Sequence, residues 1–182
     1  TSTIVGTVFS KIFETNRGYL NVILRALHLD FLCQQWLATP KTALACLLFV
    51  NIWQWTGYSM LMYYTNMLNI PQDLYESATI DGAGSFKQFI YITFPLLRGT
   101  HITLIILDIL GALKFFDLSY VLTDGGPAHA TETFSTYIYT KSFSTFQQGQ
   151  ASTIVVFMFL IAMVLTVIQL KIYYKKDRKE MN

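Results

Sequence analysis

Charged residues are scarce in this chain, and two long stretches contain none. Lys, Arg, Asp and Glu make up 13% of the 182 residues, against about 25% in a typical soluble domain. Residues 42–68 and 150–170 contain no charged side chain over 27 and 21 positions, respectively. A helix that crosses a bilayer needs about 20 predominantly apolar residues. The shortage therefore excludes an ordinary soluble domain and predicts an all-α, polytopic membrane protein.

The apolar pattern predicts three complete spans, at about residues 42–68, 97–123 and 150–172. Residues 1–13 are apolar but short, so we interpret them as the end of a span that begins earlier. The chain opens without Met and without the charged start of a signal peptide. We therefore expect residues 1–182 to be the C-terminal part of a longer transmembrane domain.

Residues that carry catalytic or metal chemistry are also few. Cys33 and Cys46 form no metal-binding or disulfide pattern. The nucleotide signature GxxxxGK[ST] and the motifs HExxH and CxxC are absent, and the three histidines lie far apart. The net charge of +2 is too small to indicate nucleic acid. The sequence predicts no enzyme activity and no cofactor or metal bound by this chain.

The few positive charges predict the orientation in the membrane. Five of them cluster at the end of the last span and after it, at Lys171, Lys175, Lys176, Arg178 and Lys179. Lys and Arg flank spans on the cytoplasmic side, so we expect the C-terminus to be cytoplasmic. Counting back through the spans places the loop at residues 69–96 on the cytoplasmic side as well.

The loop at residues 69–96 carries helix signals of its own. Pro71 suits the start of a helix, and Gly82 predicts its end. Ser85-x-x-Gln88 has the pattern of a capping box for a second short helix, and Pro95 predicts the turn into the next span. Two short helices bent at Gly82 could fold back on their own bundle or dock on a partner.

Two groups of intramembrane polar residues are candidates for a pathway. Asp108 lies near the middle of its predicted span, where an ionisable residue usually marks a route for substrate or ions; the alternative is a structural tie to another helix. Asn51, Trp55 and Tyr58 recur at helical spacing on the preceding span. Their amide and aromatic groups suit a sugar, and they equally suit ordinary helix packing. Lys114 and Asp117 are spaced to pair with each other.

Several short motifs resemble those of one transporter family. Glu76-Ser77-Ala78, Asp81-Gly82-Ala83 and the Ile92–Pro95 turn match the EAA loop of ABC-importer permeases, with Ser77 replacing an Ala. The Asn51-x-Trp53, Phe116-Asp117 and Gly125-Gly126-Pro127 elements resemble the sugar branch, in the class that contains the maltose-type first permease subunit. The resemblance covers most of the chain from Trp36 onward.

The resemblance implies the mechanism and the partners. An ATP-driven importer of an oligosaccharide or a related sugar or polyol would use this chain as one permease subunit in the cell membrane, working by alternating access. A second permease, two ATPase subunits that bind ATP and Mg²⁺, and an extracellular solute-binding protein would complete it.

The resemblance also assigns roles to residues. The ATPase-coupling residues would be Tyr75, Glu76, Ala78, Asp81, Gly82 and Ala83. The substrate path would contain Asn51, Trp55, Tyr58, Asp108, Ala112 and Phe115. A secondary transporter that uses Asp108 as a proton or ion site is the alternative reading, and a membrane scaffold without transport is a third.

Overall fold

The structure is a computed structural model that describes the backbone of residues 1–180 and the side chains of residues 1–169 and 171. The described residues form helices and connecting turns, with no strand among them, so the predicted all-α class is confirmed. They form two compact units. Residues 1–54 and 110–165 make the first, and residues 55–109 with the described residues from Thr166 onward make the second.

Nine helical segments follow one another along the described chain. They are α1 (Ser2–Ile12), α2 (Tyr19–Ala26), α3 (Pro40–Met67), α4 (Gln72–Ile80), α5 (Ser85–Leu96), α6 (Arg98–Leu113), α7 (Asp117–Thr123), α8 (Phe134–Tyr139) and α9 (Gln148–Glu180). Short 3₁₀ and π-helical turns lie at Asp30–Leu32, within α5 at Phe89–Thr93, and after α8 at Thr140–Ser144.

The core of the first unit is built from the faces that α1, α3 and α7 present to one another. Phe13, Cys46, Val50, Leu118 and Leu122 form its buried centre. Gly6 permits the close approach of α1 and α7, because a Cβ at that position would lie 3.1 Å from Cγ1 of Val121.

The helices differ in how well they suit a bilayer. Among the described residues, Gln148–Gln169 of α9 is the one helix that is long and apolar enough to cross alone. The pair α5 and α6 reaches that standard together but is bent by 62° at Leu97. At 28 residues, α3 is long enough, about 42 Å, but amide and hydroxyl side chains interrupt its apolar sequence, and it is not among the helices apolar enough to cross.

The segment predicted as one span at residues 97–123 is not one helix. α6 ends at Leu113 and α7 starts at Asp117. Two hydroxyl groups at the start of α8 supply the physical reason: Thr133 Oγ1 donates to the Phe115 carbonyl at 2.7 Å and Ser135 Oγ to the Leu113 carbonyl at 3.4 Å. These donors compensate carbonyls that a continuous helix would have paired internally.

Candidate functional site

The bend between α4 and α5 is a defined helix ending. The Gly82 N–H donates to the Thr79 carbonyl at 3.0 Å, and the Ala83 N–H donates to the Ala78 carbonyl at 2.8 Å. These two bonds make a Schellman motif, which requires a left-handed residue at Gly82, where φ is +75°. The predicted pair of helices bent at Gly82 is confirmed. A Cβ there would meet no atom within 4 Å, so the requirement for glycine is conformational.

Gln88 joins the two helices across this bend. Its Nε2 donates to Oγ1 of Thr79 at 2.9 Å and to the carbonyl of Ala83 at 3.1 Å, and it lies 3.4 Å from the carbonyl of Tyr75. The predicted capping box of Ser85 and Gln88 is wrong: Gly84 precedes the helix, and no side chain caps it. Because the Gln88 amide reaches back to α4, it fixes the angle between the helices and does not cap α5.

Tyr75 makes a second connection between the helices. Its hydroxyl lies 2.8 Å from Oγ1 of Thr93, which is buried in the π-helical turn of α5. Two polar clips, one through Gln88 and one through Tyr75, therefore hold α4 against α5. We call the whole segment from Gln72 to Leu96 the coupling element.

The outer surface of the coupling element carries exposed apolar and acidic side chains. Ile80 is 87% exposed and Phe86 is 75% exposed, one on each side of the bend. Glu76, Asp81 and Gly82 are also exposed, whereas Tyr75, Ala78 and Ala83 are half-buried. The six predicted coupling residues thus divide into three that are open to a partner and three that face into the element.

Three of the predicted substrate-path residues lie on α3. Asn51 is half-buried, and its amide has no hydrogen-bond partner among the described side chains and backbone. Trp55 and Tyr58 are exposed, and their rings meet edge to face with centroids 6.0 Å apart. The helix runs without interruption through all three positions, as their spacing predicts.

The other three lie on α6 and in the break that follows it. Asp108 and Ala112 are exposed, and within the described part of the chain the Asp108 carboxylate makes no hydrogen bond or ion pair. Phe115 is different, because it packs against the core of the first unit. No ion pair between Lys114 and Asp117 is found in the described region, so the predicted pairing is not formed.

Three polar residues of the second unit join helices in ways that the sequence patterns do not predict. The pattern at Gln88 predicts a cap, and no pattern predicts a role for Thr93 or His101. A signal was present, since Thr93 and His101 are polar residues in otherwise apolar helical stretches. Such residues usually have partners inside a protein.

A family of transport proteins matches nearly the whole chain. The model of the binding-protein-dependent transport system inner membrane component matches residues 4–178. The probable ABC transporter permease YurN of Bacillus subtilis is 35% identical over 178 residues, which is 98% of this chain and 61% of YurN. The arabinooligosaccharides permease AraP of the same organism is 32% identical over 175 residues, 94% of this chain and 55% of AraP.

A solved structure has the same fold. A bacterial ABC transporter involved in the import of the acidic polysaccharide alginate aligns with a TM-score of 0.86 and 23% identity, over 96% of this chain and 61% of that one. The chain thus spans between half and two thirds of the length of these relatives. It belongs to the family of binding-protein-dependent transport system inner membrane components.

Proposed function

We propose that this chain is part of a permease subunit of an ATP-driven ABC importer that carries an oligosaccharide or a related sugar or polyol across the cell membrane. The coupling element is the observation that carries the proposal. It is a pair of helices held at a fixed angle, with exposed apolar side chains at the bend.

The exposed apolar side chains of the coupling element favour binding of a protein partner. Burying a side chain of the size of Ile80 or Phe86 is worth about 1.5–3 kcal/mol, and both are exposed on the surface of the coupling element. With the C-terminal Lys and Arg residues in the cytoplasm, this surface faces the compartment that contains ATP. An ATPase subunit with a groove for the bend would cover Ile80 and Phe86, and Glu76 and Asp81 would meet its polar rim.

The proposed composition of the complex is based on the family to which the chain belongs. Two ATPase subunits, each binding ATP and Mg²⁺, a second permease and an extracellular solute-binding protein accompany this chain in the proposal. ATP hydrolysis belongs to the ATPase subunits. ATP-driven closure of those subunits would move the coupling element and switch the permease between its inward-open and outward-open forms.

The proposed substrate class has two supports. The named relatives include one for arabinooligosaccharides and one for alginate, both carbohydrates. Asn51 offers an amide without a partner among the described residues, and Trp55 and Tyr58 offer exposed rings on the same helix. Amides hydrogen-bond hydroxyl groups, and aromatic faces pack against the C–H groups of a sugar ring. Asp108, Ala112 and Phe115 complete the proposed path.

The test is uptake by the full-length chain, purified with its ATPase subunits and second permease, in proteoliposomes that contain ATP. Addition of the binding protein loaded with radiolabelled sugar should give uptake that needs hydrolysable ATP. Uptake driven by a proton gradient without ATP would overturn the proposal and favour a secondary transporter that uses Asp108. Uptake by neither route, in complexes that hydrolyse ATP, would also overturn it.

A further inference from the structure

His101 joins the end of the coupling element to helix α3. Its Nδ1 lies 2.8 Å from the hydroxyl of Tyr63 on α3, and its Nε2 lies 3.2 Å from the carbonyl of Phe94 on α5. His101 itself belongs to the first turn of α6, just after the bend at Leu97. One side chain of α6 therefore contacts both α3 and α5, at residues that belong to the second unit.

The Phe94 carbonyl determines the role of one ring nitrogen of His101. A carbonyl oxygen can only accept a hydrogen bond, so Nε2–H is the donor in the contact with Phe94. The Tyr63 hydroxyl can donate to Nδ1 or accept from it. Both ring nitrogens of His101 therefore have a hydrogen-bond partner.

Ring packing fixes the imidazole in place. The ring centroids of Phe94 and His101 are 4.6 Å apart, and those of Tyr63 and His101 are 5.2 Å apart. The contact lies where α5 ends, at a carbonyl in the last turn of the helix, where intrahelical partners are missing. A displacement of α5 thus acts directly on His101, and through it on Tyr63.

We propose that His101 is a positioning residue that transmits movement of the coupling element to α3. This inference rests on the proposed importer function. Tyr63 lies five residues after Tyr58, about 7.5 Å along the helix, so a push at Tyr63 reaches the part of α3 that carries a proposed sugar contact. Without the His101 contacts, α5 could move with the ATPase while α3 lags behind.

The experiment measures sugar molecules transported per ATP hydrolysed by the complete complex in proteoliposomes. His101→Phe keeps an aromatic ring and removes both hydrogen bonds, whereas Tyr63→Phe removes a single oxygen atom. We expect ATPase subunits to co-purify normally and the ratio to fall about fivefold in Tyr63→Phe and further in His101→Phe, in keeping with the loss of one and two neutral hydrogen bonds. Tyr64→Phe, at an exposed neighbouring position, is the matched control and should leave the ratio unchanged.

The double variant separates transmission from general damage to the fold. His101→Phe with Tyr63→Phe should give the ratio of His101→Phe alone, since both changes remove the same connection. If the complex that contains His101→Phe does not assemble, the number of sugar molecules transported per ATP in Tyr63→Phe still tests the inference. Normal ratios in both single variants of a transporting complex would overturn this inference alone. Failure of the unaltered complex to take up sugar with ATP would overturn the proposed function and this inference with it.

Discussion

The polar groups of the coupling element are paired with one another, whereas Asn51 on α3 and Asp108 on α6 differ from them in this respect. In the coupling element, Gln88 and Tyr75 find partners across the bend. On α3 and α6, the Asn51 amide and the Asp108 carboxylate have no partner among the described residues. A segment whose polar groups are paired internally keeps one shape and can transmit force. Groups left open in a membrane segment are available to a polar ligand.

The largest effect is expected where the shape of the coupling element depends on one backbone angle. Gly82→Pro is incompatible with φ of +75°, because proline fixes φ near −65°, and it removes the N–H that donates to Thr79. ATP-driven uptake should be lost, and the ATPase should no longer co-purify. Gly84→Ala is the control, since φ is −68° there and the surrounding space is open. Retention of uptake and of the ATPase in Gly82→Pro would contradict the assigned role.

A smaller effect is expected when the angle between α4 and α5 is loosened. Gln88→Met keeps the length of the side chain and removes the donor to Thr79 and Ala83. Sugar uptake per ATP hydrolysed should fall by roughly tenfold, as expected for two neutral hydrogen bonds, with the ATPase still bound. Gln72→Met, at an exposed position at the start of α4, is the matched control and should give the same uptake per ATP as the unaltered protein. Equal sugar uptake per ATP in Gln88→Met and Gln72→Met would show that coupling does not need the Gln88 hydrogen bonds.

A substitution in the proposed substrate path is expected to lower uptake without affecting the ATPase. Asn51→Ala leaves the coupling element intact, so ATPase binding and basal ATP hydrolysis should not change. The concentration of loaded binding protein at half-maximal uptake should stay constant, while the maximal uptake rate falls about fivefold through loss of one sugar hydrogen bond. Met60→Ala, at an exposed position on α3, is the matched control. An unchanged rate in Asn51→Ala would make the α3 stripe a packing feature.

Local signals in the sequence predicted the parts of this structure that depend on single residues. Gly82 ends α4 because only a residue tolerant of positive φ completes the Schellman motif, and such a glycine can be read from the sequence. The break at 114–116 could not be read in the same way. It depends on hydroxyl donors from Thr133 and Ser135, about twenty positions later in the chain. Pairings of that kind are set by tertiary structure.

The same distinction explains what was missed in the candidate site. The spacing of Ser85 and Gln88 fits a capping box, but an amide on α5 can also reach α4 once Gly82 has turned the chain. The longer reach gives Gln88 two short hydrogen bonds, and the competing local pattern is lost. The spacing of Asn51 and Tyr58 correctly predicted that both lie on one helix, because a continuous helix fixes the spacing of the residues along one side.

The smallest effect, and the sharpest test of the comparison, concerns the second clip. Tyr75→Phe removes the hydroxyl that meets Oγ1 of buried Thr93 and should lower uptake per ATP about two- to fivefold, within the range of one neutral hydrogen bond. Thr93→Val removes the other partner. If the clip positions α5, the double variant should resemble the worse single variant and not their product. If the decrease in the double variant equals the product of the two single decreases, the two hydroxyls act separately. The coupling element would then be held by Gln88 alone.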